Sequence, residues 1–194
     1  MRHNQVLKEI ACVIRTDRGK DTSAEAPTTF YSAGGKTVWS GTAVISKTLK
    51  QGILDGVYDW ECTADLPEWK KHPEIISKSG MRPDIVLHSP STKKVILIEL
   101  SVPYESRMEE AHIYKTEKYA SLASSLREQG FQTRVLPIEV GARGFVGTSA
   151  YDLMKRLSIS GKKRTRTLKA LAEAAEKSSS WIWARRNENK LHIA

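Results

Sequence analysis

The segment Val95–Leu100 constrains the fold more than any other part of the chain, because five of its six residues are aliphatic. A short apolar run rich in β-branched residues is typical of a strand in a buried sheet, and we predict a strand over Val95–Val102. The exception within the run is Glu99. An ionised carboxylate is costly to bury unless a cation meets it, so this strand also predicts a polar site.

The segments around this strand predict an α/β arrangement, with a mixed sheet flanked by helices. A shorter strand over Asp84–His88 comes before it, and a long helix over Glu105–Gln129 follows it and ends at Gly130. Another strand is predicted over Thr133–Val140. Because strand–helix–strand connections are right-handed and join parallel strands, we expect this strand to run parallel to Val95–Val102.

The rest of the chain is assigned from periodicity and composition. We expect a core over residues 1–150 and a basic helical extension over residues 151–194 that packs on it. Residues 17–56, rich in Gly, Ser and Thr, are interpreted as an irregular insertion in that core. The other predicted elements are a helix over Asn4–Thr16, a strand over Val57–Cys62, helices near Ala150–Leu157 and Leu168–Ala184, and a basic turn over Ser160–Arg166.

Charge points to a class of partner. The 194 residues include 31 Lys and Arg against 22 Asp and Glu, a net charge of +9, and the excess is concentrated between residues 155 and 190. A charge of this size favours polyanions such as DNA. No apolar run approaches the ~20 residues of a membrane span, and the N-terminus has no apolar signal region. We therefore expect no membrane association and an intracellular protein, in the nucleus or the cytoplasm.

Two carboxylates are expected to meet at one end of the sheet. If Asp84–His88 and Val95–Val102 pair as a hairpin, the start of the first strand lies beside the end of the second, which makes Asp84 and Glu99 cross-strand neighbours. Two close carboxylates repel each other, and a divalent cation is a common remedy. The alternative is an ordinary salt bridge for Glu99 and a turn-capping role for Asp84.

The long helix brings a lysine towards this pair. Its apolar residues recur at intervals of three and four, and Lys115 falls in the middle of that stripe. A lysine facing a sheet needs a carboxylate partner, unless it extends past its neighbours to solvent. Tyr119 lies one turn further on the same face. A metal held by two carboxylates polarises a phosphodiester, and a nearby lysine orients the attacking water.

Several other residues are candidates for nucleic-acid contacts. Lys118 flanks the predicted catalytic face of the helix, and Arg143 lies in a glycine-rich turn after the last strand. Trp181 and Trp183 are expected to pack in the core. The remaining candidates form the basic run of the predicted turn and are expected to bind the DNA backbone: Lys162, Lys163, Arg164 and Arg166.

These residues resemble the PD-(D/E)xK nuclease pattern. Arg82-Pro83-Asp84-Ile85-Val86 followed by Ile98-Glu99-Leu100 is similar to the restriction-like endonuclease domain that follows the reverse transcriptase in site-specific LINE-class retrotransposons. Three more segments carry the resemblance, which spans about Arg2 to Arg186: Arg2-His3-Asn4, Asp59-Trp60-Glu61-Cys62 and Lys115-Thr116-Glu117-Lys118-Tyr119.

The resemblance implies a restriction-endonuclease-like fold and a Mg²⁺-dependent nuclease, with Mn²⁺ able to substitute. It implies nicking of target DNA to leave a 3′-hydroxyl that primes reverse transcription, by a chain that belongs with a reverse transcriptase domain in a parent polyprotein. Asp84 and Glu99 then bind the metal, Lys115 assists the attacking water and Tyr119 supports the lysine or the phosphate. Glu9 is a further metal ligand by analogy with relatives that use an acid of the first helix.

The sequence departs from the general pattern at one position. That pattern has lysine two residues after the second acid, where this chain has Ser101. In the retrotransposon group the lysine comes from the following helix, and Lys115 with Tyr119 matches that arrangement. Two alternatives stay open: a DNA-binding module whose nuclease has decayed, and a junction-resolvase-like nuclease acting on branched DNA. A homodimer, which a resolvase requires, is also left open.

Overall fold

The computed structural model describes residues 2–18, 52–54, 57 and 59–186. The chain begins with a helix, continues through a sheet with interspersed helices and ends with a long helix. In chain order the elements are α1 (Arg2–Arg18), β1 (Glu61–Ala64), α2 (Glu74–Ser77), β2 (Ile85–Ser89), β3 (Lys94–Ser101), a 3₁₀ turn (Glu105–Arg107), α3 (Met108–Lys118), α4 (Ala120–Glu128), β4 (Gln132–Glu139), α5 (Thr148–Arg156) and α6 (Gly161–Ala184).

The four strands form one mixed sheet in the order β1-β2-β3-β4. The pairs β1–β2 and β2–β3 are antiparallel, and β3–β4 is parallel, as the sequence predicts for the two strands joined by a helical connection. In the β2–β3 ladder Ile85 lies opposite Ile98. Continuing that register by one residue sets Asp84 opposite Glu99, the pairing expected of the two acids.

Alternate residues of the central strands face two separate cores, because side chains of a strand point in turn to opposite faces. One face, which includes Ile85, Ile96 and Ile98, packs with α1, α5 and α6. The other face, which includes Val86 and Leu97, packs with α2 and α4. Glu99 follows the second set in the alternation, so its side chain belongs to the face that the segment Met108–Glu128 covers.

The coarse α/β prediction is confirmed, and three elements differ from it. The first strand is Glu61–Ala64 rather than Val57–Cys62, because these four residues pair with residues 85–88 of β2. The long helix of residues 105–129 is divided into a 3₁₀ turn and two helices that meet at Tyr119. The predicted basic turn Ser160–Arg166 is wrong, since α6 begins at Gly161 and its first two turns carry those cations.

The C-terminal helices share one core with the sheet. Leu168, Leu171 and Ala175 of α6 pack with α1, and the expected boundary at residue 150 falls inside α5. Most of the insertion expected over residues 17–56 lies outside the described residues. Of its described part, residues 17–18 end α1, and residues 52–54 run beside α5, where the amide of Ile53 donates to the carbonyl of Arg156 over 2.7 Å.

The end of α6 corrects another expectation. Trp181 and Trp183 do not pack in the core, since their side chains are 41% and 67% exposed. Arg185 lies over the ring of Trp181 and Arg186 over that of Trp183, at 4.5 and 3.8 Å from the ring centroids. Core packing stops at Ala175, so the last turns of α6 extend past the core. None of the described helices has an apolar stretch long enough to cross a bilayer.

Candidate active site

The two acids at the end of the β2–β3 hairpin are held by the backbone of each other's strand. The amide of Asp84 donates to Oε1 of Glu99 over 3.0 Å, and the amide of Leu100 donates to Oδ2 of Asp84 over 2.8 Å. Asp84 is 8% exposed and Glu99 is fully buried. The hairpin therefore fixes both carboxylates side by side, with Asp84 nearer to solvent.

Lys115 of α3 reaches both acids. Its Nζ lies 2.9 Å from Oε2 of Glu99 and 3.7 Å from Oδ2 of Asp84. The side chain is 17% exposed, so the alternative in which the lysine extends into solvent is not what the structure has. The lysine of the site thus comes from a helix and not from the position two residues after Glu99, where Ser101 lies.

A fourth ionisable group comes from the opposite helical layer. His3, in the first turn of α1, contacts Oδ2 of Asp84 through Nε2 over 3.2 Å. Its other ring nitrogen lies 3.2 Å from the side-chain oxygen of Asn4. Arg2 holds this end of α1 in place by donating to the carbonyl of Val102 and to the hydroxyl of Ser179. Asp84 is therefore contacted from both faces of the sheet.

The protonation equilibria follow from these contacts. Burial opposes ionisation of Asp84, but the hydrogen bond and charge of His3, with the charge of Lys115, outweigh it and lower its pKa. Burial, and then the charge of Asp84, raise the pKa of Glu99. Burial works against the ammonium of Lys115, yet the two carboxylates prevail and raise its pKa. Two carboxylates thus share one permanent cation.

This donor set fits a hard divalent cation. Mg²⁺ is held in proteins by one or two carboxylates and completes its shell with waters and substrate phosphates. Asp84 and Glu99 supply two carboxylates whose charges one lysine does not balance. Within the described residues, no three His, Cys, Asp or Glu side chains are arranged to hold a metal ion by themselves. A cation here would therefore retain positions for water and phosphate.

Tyr119 takes a different place from the one expected. Its side chain is fully buried, and its hydroxyl donates to the carbonyl of Arg82 over 3.0 Å. Burial and the neighbouring charge of Glu99 raise the pKa of the phenol, so it stays protonated. Because Arg82 lies two residues before Asp84, Tyr119 fixes the chain that enters the site, and its burial keeps it from a substrate phosphate.

Three other predicted residues lie outside the acid pair. Arg143 forms an ion pair with Glu105, with Nε and Oε2 2.9 Å apart, and its side chain is otherwise exposed. Lys118 is exposed, and its ammonium lies 5.0 Å from the centre of the Tyr119 ring. Glu9 lines a groove against α6 with residues such as Glu173, so the structure does not bring it to Asp84 and Glu99.

The basic run of α6 lies at the far end of the molecule. Arg2 meets Ser179 and Glu9 lies beside Ala170 and Glu173, so α1 and α6 run antiparallel. Lys163 is 16 residues before Ser179, which corresponds to about 24 Å along the helix at 1.5 Å per residue. The structure therefore separates from the acid pair the four basic residues that were predicted to bind the DNA backbone: Lys162, Lys163, Arg164 and Arg166.

The contact that sequence reasoning missed is the one made by His3. Its spacing in α1 gives no indication of a role, because the apolar stripe of that helix begins at Val6. The segment Arg2-His3-Asn4 carries part of the resemblance, and His3 could be a ligand, but a lone histidine is more often a surface or capping residue. The tertiary structure shows what two of these side chains do: Arg2 anchors the helix, and His3 contacts Asp84.

Comparisons with known proteins leave the family of this chain open. No family model matches it. The myosin-2 heavy chain, non muscle, of Acanthamoeba castellanii is 26% identical over 157 residues. That alignment covers 75% of this chain and 10% of the relative, so the chain spans about a tenth of the protein it matches. A similarity at this level carries no activity over to the chain.

Proposed function

We propose that this protein is a Mg²⁺-dependent DNA endonuclease of restriction-like fold that nicks one strand. The observation that supports this most directly is the ammonium of Lys115, 2.9 Å from Glu99 and 3.7 Å from Asp84, at the open end of a β-hairpin. Two acids and a lysine in contact are the groups that metal-assisted hydrolysis of a phosphodiester requires. A net charge of +9 suits a polyanionic substrate.

The residues divide the chemistry between them. Asp84 and Glu99 would hold the cation, which on binding supplies Lewis-acid polarisation of the phosphate and an acidified water. Lys115 orients the attacking water and stabilises charge that develops on the phosphoryl oxygens. His3 holds Asp84 in its rotamer. Tyr119 positions the segment that leads into Asp84 through the carbonyl of Arg82.

The product and the biological setting extend the same proposal. A nick that leaves a 3′-hydroxyl would prime reverse transcription, with a reverse transcriptase domain as the partner in a retrotransposon polyprotein. Such a reaction takes place on nuclear DNA, which favours the nucleus over the cytoplasm. Mn²⁺, which accepts the same oxygen ligands, should replace Mg²⁺.

A second function is favoured by one feature of the same site. Both oxygens of Glu99 and Oδ2 of Asp84 already contact protein donors, namely backbone amides, Lys115 and His3. The pair can therefore stand as a structural ion-pair network with no metal and no turnover. A DNA-binding module with a decayed nuclease would have this appearance.

Plasmid nicking separates the two. The purified protein is incubated with supercoiled plasmid and Mg²⁺ or Mn²⁺, alongside EDTA, Glu99→Gln and the matched variant Glu9→Gln. We expect metal-dependent relaxation that falls by at least about 10²-fold in Glu99→Gln and is kept in Glu9→Gln. Relaxation that persists in both variants contradicts the site, and loss in Glu9→Gln alone would restore Glu9 as a ligand. Salt-sensitive DNA binding without any nicking favours the decayed module.

A further inference from the structure

A cleft of about 800 Å³ is lined by residues that precede Asp84 in the chain and by the loop that follows β1. One wall is the loop of residues 64–72 that follows β1, a second is the segment of residues 77–82 that leads into β2, and Asn4 of α1 closes one end. Its volume is within the range of ~300–1,000 Å³ typical of ligand-binding clefts. No sequence motif pointed to it, because its walls come from three separate parts of the chain.

Hydrogen bonds of the backbone and of side chains connect the lining of this cleft to Asp84. The amide of Asp65 donates to the carbonyl of Asp84 over 2.8 Å. Asn4, at the end of the cleft, meets His3, which in turn contacts Asp84. Arg82, on the second wall, precedes Asp84 by two residues and is fixed by Tyr119. Three residues that line the cleft, Asn4, Asp65 and Arg82, are thus connected to Asp84 by a hydrogen bond or by the chain itself.

The cleft carries a positive charge. Lys70 and Lys71 are exposed on the loop wall, and within the described part of the chain neither has an ion-pair partner. Arg82 pairs with Asp65, the acid that lines the cleft, through Nη2 and Oδ1 at 2.5 Å. This ion pair is internally neutral, so the two lysines set the net charge. Two adjacent cations beside a metal-binding carboxylate suit a run of phosphates.

The loop that presents these lysines is held by contacts on both sides. The imidazole Nδ1 of His72 lies 2.8 Å from the hydroxyl of Thr63, and the amide of Trp69 donates to the carbonyl of Leu66 over 3.0 Å. The guanidinium of Arg15 lies 4.8 Å from the centre of the Trp69 ring. Because these contacts already hold the loop, binding there would cost little further backbone entropy.

We propose that this cleft binds the sugar–phosphate backbone of the cut strand, through Lys70, Lys71 and Arg82. The inference rests on the proposed nuclease function and names the residues that place its substrate. It replaces the basic run of α6 as the surface nearest to the chemistry, since that run lies about 24 Å from the Arg2–Ser179 contact along α6. Arg82 contributes a hydrogen-bond donor, and the two lysines contribute most of the electrostatic attraction.

The test is fluorescence anisotropy with a short fluorescein-labelled oligonucleotide, both single-stranded and as a duplex, in EDTA over a series of salt concentrations. The cleft variant is Lys70→Ala with Lys71→Ala, and the comparison variant removes the same charge at the far end, Lys162→Ala with Lys163→Ala. We expect the cleft variant to reduce the slope of log K against log salt by about two, one for each phosphate that the protein no longer neutralises. Thermal melting checks that both variants fold.

The salt slopes of the two variants decide between the surfaces. The proposal is supported if the salt slope falls more in the cleft variant than in the far-end variant. The same result is expected with the single strand and with the duplex, because the cleft contacts one strand. An equal slope in wild type and cleft variant, or a loss confined to the far-end variant, overturns it. The proposal is also overturned if the wild type binds neither the single strand nor the duplex. If a variant misfolds, the Lys70→Gln and Lys71→Gln pair repeats the measurement with larger polar side chains.

Failure of the cleft can be told apart from failure of the nuclease. If the wild type binds without nicking and the cleft variant binds less well, the cleft stands and the proposed activity falls. If the wild type nicks plasmid and the cleft variant binds and nicks with unchanged KM, the activity stands and the cleft falls. Where both are right, the cleft variant raises KM by about fivefold or more with little change in kcat.

Discussion

The two ends of the α1–α6 helix pair carry charge in opposite ways. At the end where Arg2 meets Ser179, charged groups are buried and in contact with one another: Glu99 is inaccessible to solvent and pairs with the cation of Lys115. At the other end, cations such as Lys162 and Arg166 lie exposed on the first turns of α6. The excess of Lys and Arg in the sequence points to the exposed end. The buried end is recognised instead by charged groups with perturbed pKa values, and such groups are the ones that mark candidate catalytic sites.

The largest effect on stability is expected from removing the cation of the buried region. Lys115→Ala leaves Glu99 without its cationic partner in a fully buried position, which should lower the free energy of unfolding by about 3 kcal/mol. Lys162→Ala, at the exposed end, should change it by less than about 0.5 kcal/mol. Urea denaturation of both variants measures the contrast.

Recovery of stability in a double variant sharpens this prediction. Adding Glu99→Gln to Lys115→Ala removes the unpaired charge, so part of the loss should return. Equal stabilities for Lys115→Ala and Lys162→Ala would show that the buried region is not organised by its charges.

Tyr119→Phe tests the same region through a neutral hydrogen bond. The substitution keeps the buried ring and removes the donor to the Arg82 carbonyl, so we expect a loss of about 1 kcal/mol. Nicking should fall with it, because the segment entering Asp84 is less well fixed. Tyr151→Phe, on an exposed tyrosine of α5, is the control, and an equal loss in both would refute the positioning role.

Trp183→Ala tests where the core of α6 ends. A tryptophan in the core costs about 3–5 kcal/mol on truncation, whereas one that is 67% exposed should cost less than about 0.5 kcal/mol. Chemical denaturation distinguishes the two values easily. A loss of several kcal/mol would restore the expectation that this side chain packs in the core.

The smallest effect is expected from an acid remote from both regions. Hydrogen bonds from the hydroxyl of Ser89 and the amide of Ser91 lower the pKa of Asp59 to about 2, from 3.8. A depressed pKa stabilises the fold fully above the unfolded value, and the contribution is lost as the pH falls from about 4 through 2. The difference in Tm between wild type and Asp59→Asn should therefore shrink over that interval. A difference that is constant with pH would contradict it.

Local sequence patterns are sufficient to predict the features that depend only on segments close together in the chain. The strand at residues 95–102, the parallel pairing with β4 and the adjacency of Asp84 and Glu99 follow from apolar runs and hairpin register. The place of Lys115 follows from helical spacing alone. Each of these inferences needs only neighbouring segments, and periodicity encodes such neighbours well.

What could not be predicted depends on tertiary contacts. The long helix is interrupted at Tyr119, whose hydroxyl meets the carbonyl of Arg82, a residue 37 positions away in the chain. His3 meets Asp84 only because α1 packs across the sheet. The basic run was recognisable as charge, but its distance from the acids depends on the antiparallel packing of α1 on α6.

The hydrogen bonds between the two acids and their neighbouring strands have a consequence for how such proteins diverge. Asp84 and Glu99 accept hydrogen bonds from the amides that continue the β2–β3 ladder, so they complete the sheet whether or not they take part in a reaction. Loss of either carboxylate would leave a buried amide without its acceptor. The two acids therefore have a role in folding that is independent of catalysis, and their presence in a related sequence would not by itself demonstrate turnover.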